Sequence, residues 1–453
     1  MTYNDLRDYQ QQDVDRIVEN KTIANFSEQR TGKTPTTCVA LEKLNAKKIL
    51  IICPASMMYV WKNEYETWTT GAAIVTDSTK FDYAKYKKED VVIITNFEKV
   101  RMGTVGETLA KLNFDAVVVD EAHRMKNRKR LTYKAIKKLK NSSIKIALTG
   151  TPAPNKPWEV WAILNWLFPI QFSSFWRFME AYFYVPMNGF GADLDRARYT
   201  PEGAKALAEV MKTISVQHKR SEVMPWLTEV TPTCVKLPCN KSQLKAVKEL
   251  QEHFEYKHII TRNIMENLVR VRQIYADPGI LNLPGASPKI VWLKQYVADY
   301  PEKNIIVFSN STKFLLRVYE ELKLHVLWVR LVFGKTSAKC RADVVQEFQC
   351  KGTGKLVLIQ TQCGKEGLTL DNADVTIFLD IFPPAADYQQ AKDRMIAVTP
   401  EHDKPKELIH VMMKDTYDEA LYRLVNANMN DTEIINDYAK VIKRYESLHG
   451  SNT

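Results

Sequence analysis

The stretch Phe114-Asp-Ala-Val-Val-Val-Asp120-Glu121-Ala122-His123 is an apolar run that ends on two carboxylates. Ala116 to Val119 is continuous rather than alternating, the pattern of a strand covered on both faces of a parallel sheet. Such sheets bind ligands just beyond the carboxyl ends of their strands. Asp120 and Glu121 fall at that place, although an acidic pair after a strand is also an ordinary solvated end. The residues upstream decide between the two.

Upstream, Ser27-Glu-Gln-Arg-Thr31-Gly32-Lys33-Thr34 has the form of the tail of a phosphate loop. Gly32 lets the backbone approach the phosphates, Lys33 reaches the β and γ phosphates, and the Thr34 hydroxyl is a Mg²⁺ ligand. Ser27 stands where such a loop usually has its first glycine. With this loop upstream, Asp120 becomes a candidate for the Mg²⁺ shell, and Glu121 for orienting or deprotonating the attacking water. Leu6-Arg7-Asp8-Tyr9-Gln10 precedes the loop, and Gln10 there suits the adenine edge. Arg7 and Thr31 complete the candidate nucleotide set, and ATP with Mg²⁺ is the expected cofactor.

Further out, apolar runs recur at 48–53, 91–95, 116–119 and 144–148, and again at 305–308, 356–359, 375–379 and 408–412. Helix-length amphipathic stretches separate them. Two such series predict two tandem α/β lobes with parallel sheets, residues 1–230 and 231–453, with connecting helices running to about Ile274. The aromatic-rich stretch 156–186 reads as helices packed on the first lobe rather than a base-stacking surface. Residues 187–203 read as a loop, with Phe190, Arg196 and Arg198 the only candidates for a strand-separating pin. The segment from Tyr417 reads as a helical tail.

The bulk numbers agree with a large soluble protein: 453 residues, 45% hydrophobic, and no stretch near the roughly 18 uncharged apolar residues of a membrane span. The charged N-terminus is not a signal peptide, which predicts a cytoplasmic protein (host cytoplasm for a phage product) or a nuclear one. Seven scattered cysteines with no Cys-x-x-Cys pair read as reduced core residues, not a zinc site. A net charge of +11 suits a polyanionic partner.

Taken together these motifs resemble a superfamily 2 helicase of the Swi/Snf group. The resemblance rests on 49–68 (ILIICPASMMYVWKNEYETW), 93–99 (IITNFEK), 114–127 (FDAVVVDEAHRMKN), 147–155 (ALTGTPAPN) and 217–225 (QHKRSEVMP). It continues through 304–311 (NIIVFSNS), 333–348 (FGKTSAKCRADVVQEF), 359–370 (IQTQCGKEGLTL), 388–394 (YQQAKDR) and 416–419 (TYDE). It implies two RecA-like lobes with the ATP site in the cleft between them. It also implies that Thr149 and Thr151 couple hydrolysis to DNA grip, and that Thr361, Gly364 and Gly367 touch the tracking strand or the phosphates. Lys62, Asn96, Arg124, Lys126, Asn127 and Lys219 become candidate contacts to the DNA backbone, where grip carries no sequence preference.

One position departs from the group's pattern. Its last motif carries two arginines three residues apart; here the first is Arg394 but the second is Ala397. An arginine finger contributes about 10³–10⁵ in turnover, so the chain is expected to bind ATP and hydrolyse it poorly. Either a natural lineage has moved the arginine, or the change is an introduced Arg→Ala; the presence of the other catalytic residues favours the second. The compact build resembles a phage or bacterial DNA translocase, a monomer acting on double-stranded or branched DNA beside replication or recombination proteins. The alternatives are a protein-displacing or RNA polymerase-recycling translocase and an ATP-gated DNA-binding module. An RNA helicase fits the second-lobe motifs less well.

Overall fold

The computed structural model describes residues 1–76, 81–87, 90–139, 141–153, 156–189, 191–228, 230–364, 370–380, 388, 391–396 and 404–426. Gly367, Ala397 and Phe190 lie outside the described residues, as does the tail beyond Asn426. The chain divides into two compact units, Met1–Pro225 and Trp226–Thr453.

The first unit is built on seven parallel strands: β1 Thr22–Asn25, β2 Ile49–Cys53, β3 Ala73–Val75, β4 Val92–Asn96, β5 Ala116–Asp120, β6 Ile144–Leu148 and β7 Ser215–Val216. Their order across the sheet is β7-β1-β6-β5-β2-β4-β3. The continuous apolar runs exist because both faces are covered. Alternate residues of each strand feed different cores. Ile49, Ile51, Ile94 and Val118 pack with helices α1 (Asp8–Asn20), α2 (Lys33–Lys43) and α3 (Met58–Trp68). Leu50, Ile52, Ile93 and Val119 pack with α4 (Leu131–Lys137), α5 (Trp161–Leu167) and α6 (Phe175–Tyr182).

The aromatic stretch is core, as the packing reading expects: Trp161, Trp166, Phe172, Phe175, Phe178 and Phe183 are buried there. The stretch 187–203 is more ordered than a plain loop. Met187–Asn188 pairs with Gly191–Ala192, Phe183–Tyr184 pairs with Arg198–Tyr199, and the helix Pro201–Ile214 follows. Short strands of two residues give no periodicity that a sequence reading can detect.

The second unit repeats the scheme with β8 Pro232–Leu237, β9 Ile305–Ser309, β10 Trp328–Val332, β11 Lys355–Gln360, β12 Val375–Phe378 and β13 Glu407–Met413. The order is β8-β13-β12-β9-β11-β10, all parallel, with a core on each face. The connecting helices α7 (Lys241–His253) and α8 (Ile264–Ala276) share a smaller cluster with Met413 and Leu421. The latter belongs to α10 (Tyr417–Asn426); α9 (Pro288–Asp299) lies earlier, between α8 and β9.

All eight apolar runs are strands of these two sheets. The strands without such a run, β1, β3, β7, β8 and β10, are short or lie at sheet edges, where one side of the pleat stays wet and polar residues interrupt the pattern. The cysteines are free, but only Cys38, Cys53 and Cys363 are buried; Cys234, Cys340 and Cys350 are exposed. The reading of all seven as core residues is corrected on that point: Cys234 sits on edge strand β8, and Cys340 and Cys350 lie on or just past the solvent-facing helix Ala338–Gln349. Among the described residues there is no cluster of potential metal ligands of the Cys/His/carboxylate kind, and no helix is long and apolar enough to cross a membrane.

Candidate nucleotide and nucleic-acid site

The strand order gathers the separate motifs of the first unit. In β1-β6-β5 all three strands are parallel, so the loop after β1, the Thr149-Gly150-Thr151 turn after β6 and the acid pair after β5 share one edge. This is the carboxyl edge, where such sheets place ligands.

Gly32 opens α2 in the left-handed region, φ +77°. The left-handed conformation favours glycine, and a Cβ there would lie 2.0 Å from the Gln10 amide nitrogen and displace it. Gln10 in turn donates to the Thr31 carbonyl (3.3 Å) and accepts from the Arg7 backbone N–H (3.0 Å). The Tyr9 hydroxyl donates to the same Thr31 carbonyl at 3.0 Å. Thus Arg7, Gln10 and Thr31 meet at the loop. Lys33 folds over the loop, its Nζ 2.8 Å from the carbonyl oxygens of Ser27 and Glu28. Thr34 follows in the first turn of α2, partly exposed.

Across the sheet, Glu121 occupies the left-handed region at φ +49°, which turns the chain sharply after Asp120. Asp120 accepts hydrogen bonds from the Trp61 indole N–H (2.9 Å) and the Glu121 backbone N–H (2.8 Å). Burial, then the adjacent Glu121 carboxylate, pushes Asp120 up to about 6; the two hydrogen bonds and the nearby Lys33 charge oppose the rise. A site that crowds two carboxylates against a loop lysine is chemically suited to a divalent cation with phosphates, which would favour both ionised forms. His123 Nδ1 lies 3.1 Å from a Glu121 carboxylate oxygen and 3.1 Å from the Thr149 hydroxyl. The Thr149 hydroxyl also accepts from the Thr151 backbone N–H at 3.1 Å. A Cβ on Gly150 would sit 3.4 Å from the Gln29 backbone nitrogen, so this turn packs directly on the phosphate loop.

Of the other expected contacts, Thr149 is buried and Thr151 exposed. Asn96 is buried, and its side chain caps the helix Phe97–Arg101. Arg124 lies 3.8 Å from Glu98 and over the Phe97 ring, and Lys126 lies 3.7 Å from Glu159. Asn127 is exposed. Lys62 pairs with Glu66 and donates to the Ala73 carbonyl at the edge strand β3. Lys219 is exposed and 3.8 Å from Glu222.

In the second unit Thr361 follows β11, buried, its hydroxyl without a hydrogen-bond partner among the described residues; Gly364 ends that short turn of helix. Gln362, Asn310, Ser311 and Asp380 line a cavity of about 250 Å³ together with Arg272, Lys289 and Asp418. Arg394 lies buried in the turn Asp393–Met395.

Four residues at the site carry no assigned role in the sequence, although three of them lie in quoted segments. Trp61 holds Asp120, and Gly150 packs on the loop. His218 and Asp13 form the other pair: His218 Nε2 is 2.9 Å from an Asp13 carboxylate oxygen, its ring meets Tyr9 edge-on, and its backbone N–H donates to the Ser27 hydroxyl. The Glu28 backbone N–H donates back to the His218 carbonyl, because β7 pairs with β1 and brings 217–220 alongside the loop. The segment 217–225 carries His218 but gives it no role at the loop; only the pairing of β7 with β1 reveals it.

Residues 10–280 match the SNF2-related domain, and residues 288–397 match the helicase conserved C-terminal domain. The chain is 23% identical over 92% of its length to a human chromodomain-helicase-DNA-binding protein 6, and 24% identical over 87% to the ATP-dependent helicase brm of Drosophila melanogaster. It spans only 17% and 27% of those two proteins. Among solved structures, the Sulfolobus solfataricus SWI2/SNF2 ATPase core in complex with dsDNA aligns with 93% of this chain and 90% of that one, at 20% identity and a TM-score of 0.45. The SNF2-related match alone takes in more than half of the residues, and the chain belongs to the SNF2-related family.

Proposed function

We propose that this chain is an ATP-dependent translocase on double-stranded DNA that acts on branched DNA, by branch migration or fork regression. The observation that carries the ATP half is the hydrogen-bonded chain along one sheet edge, from Asp120 and Glu121 through His123 to Thr149 and Thr151, with Gly150 packed against the phosphate loop. Family membership and the +11 charge support the DNA half.

In this reading Gly32 and Lys33 hold the phosphates, Thr34 and Asp120 hold the Mg²⁺ shell, and Glu121 orients the attacking water. Bound Mg²⁺ would neutralise charge developing on the phosphoryl oxygens. Gln10, with Arg7 and Thr31, is assigned to the base end of the nucleotide. His123 ties the water-orienting carboxylate to Thr149, so that a change at the γ phosphate shifts the Thr149–Thr151 turn. Thr151, Asn127, Arg124, Lys126, Lys62, Asn96 and Lys219 in the first unit, with Thr361, Gly364 and Gly367 in the second, are the proposed nucleic-acid and phosphate contacts. Arg394 is the proposed finger.

Ala397 favours a second reading, an ATP-gated DNA-binding module with little turnover. The test measures ATP hydrolysis with no nucleic acid, single-stranded DNA, linear duplex and a four-way junction, on this chain and on Ala397→Arg. The translocase reading expects low turnover in the parent and a gain of at least tenfold, stimulated by duplex or junction, in the variant. Stimulation by RNA alone overturns the substrate. No gain in Ala397→Arg, with ATP still bound, favours the module.

A further inference from the structure

Between Glu121 and Glu159 the chain has eleven Lys and Arg and no Asp or Glu. The whole chain's excess is also +11, so the remainder is neutral and the basic character resides in this one stretch. Several of these cations are engaged. Lys145 is buried on the Trp166 and Leu167 carbonyls, and Arg128 stacks at 4.1 Å over Phe175. Lys126, Lys138 and Lys156 pair with Glu159, Glu107 and Asp195, and Arg124 with Glu98.

Lys129, Arg130, Lys134 and Lys137 are different. All four are exposed, and none forms an ion pair among the described residues. Arg130 precedes α4, and Lys134 and Lys137 lie on it, at spacings i, i+4 and i+7 that put them on one helix face. The rise of 1.5 Å per residue separates them by about 6 Å and about 4.5 Å along the axis. The neighbouring face is fixed in the core by Tyr133 and Ile136; the Tyr133 hydroxyl donates to Asn165, and Lys137 Nζ lies 5.6 Å from the Tyr133 ring centroid. As the crossover between parallel β5 and β6, α4 runs back down the flank of the unit, away from the edge that carries the acid pair.

We propose that this row is a second phosphate-backbone surface, which takes a duplex arm other than the one gripped by the motif residues at the sheet edge. An anchored row of cations that lacks ion-pair partners among the described residues matches a regular polyanion. A protein partner would need buried apolar anchors, and Leu131 is the one large apolar side chain exposed within the row. The proposal rests on the DNA-translocase reading, since it concerns a further arm of the same substrate.

The test compares the full chain with Arg130→Gln/Lys134→Gln/Lys137→Gln, measuring affinity for a short duplex and for a four-way junction between 50 and 200 mM salt. Each phosphate contact contributes about 0.9 to the slope of log K against log salt, so the slope on the junction is expected to fall by about 2.7. Across that range the parent then loses about 40-fold more junction affinity than the variant, while the two behave alike on the short duplex. An unchanged slope on the junction overturns the second surface. An equal fall on both DNAs also overturns it, by making the row part of one groove. Failure of the parent to bind any DNA removes the translocase reading itself, which the parent's own titration reports separately. The melting temperature should not change, because all three side chains are exposed.

Discussion

At the scale of single residues, the site depends on groups whose meaning is set by one neighbour. Trp61 is fully buried, and its indole N–H fills one oxygen of Asp120. A hydrogen bond to a charged group contributes about 1.5–3 kcal/mol, and here it also fixes the direction of the other oxygen. Trp61→Phe keeps most of the packing and removes the donor. The Mg²⁺ concentration that half-saturates ATP hydrolysis should rise about tenfold, with a parallel loss in Mn²⁺ binding read by electron paramagnetic resonance in the presence of a non-hydrolysable ATP analogue. Trp166→Phe is the control, since Trp166 is equally buried and its indole makes no hydrogen bond among the described residues. If both variants shift metal binding alike, Trp61 acts through packing alone. Gly32, Lys33, Asp120 and Glu121 are legible in the sequence because phosphate and metal chemistry dictate those residue types at short spacing. Trp61 is not, because its bond to Asp120 forms only once α3 packs against the sheet.

At the scale of elements, two buried polar groups decide how the second unit responds to pH and to substitution. His410 on β13 is enclosed by Phe378, Tyr388 and Tyr422, and burial, with a contribution from Lys392, lowers it to about 3. A histidine held neutral in the fold contributes stability present above its unfolded value of 6.5 and lost as pH falls toward 3. At pH 5 the loss is about 2 kcal/mol, at 1.36 kcal/mol per pH unit. Urea unfolding at pH 7 and pH 5 should show it, and His410→Phe should remove most of the difference; an unchanged difference would place the acid lability elsewhere. The second group is the pair of Lys289, at the start of α9, with Asp418 on α10, 2.7 Å apart with Lys289 1% exposed. Lys289→Met strands the carboxylate and should cost about 3 kcal/mol, while Lys289→Met/Asp418→Leu should recover much of it. Equal losses in the single and double variants would mean the helix contact, not the charge, is what counts.

At the scale of the whole molecule, the two units carry separate cores. Calorimetry is expected to resolve two transitions, and Mg²⁺-ATP at about 100 times its Kd should raise the one belonging to Met1–Pro225 by about 2.7 kcal/mol of stability. Lys33→Ala should abolish that shift; a shift that survives it would move the nucleotide away from the loop. The sequence by itself determined the two parallel α/β units and the aromatic stretch as core, and it singled out the loop and acid pair as the candidate nucleotide site. Those features are local, written in the apolar run of a doubly covered strand and in residue types that phosphate chemistry restricts. Only the tertiary structure decided the rest. The order β1-β6-β5 set which motifs meet at one edge, β7 brought His218 back to the phosphate loop, and α4 left a row of cations without ion-pair partners among the described residues. Each depends on which strands become neighbours across the sheet, a choice made by the packing of the whole unit and carried by no single stretch of chain.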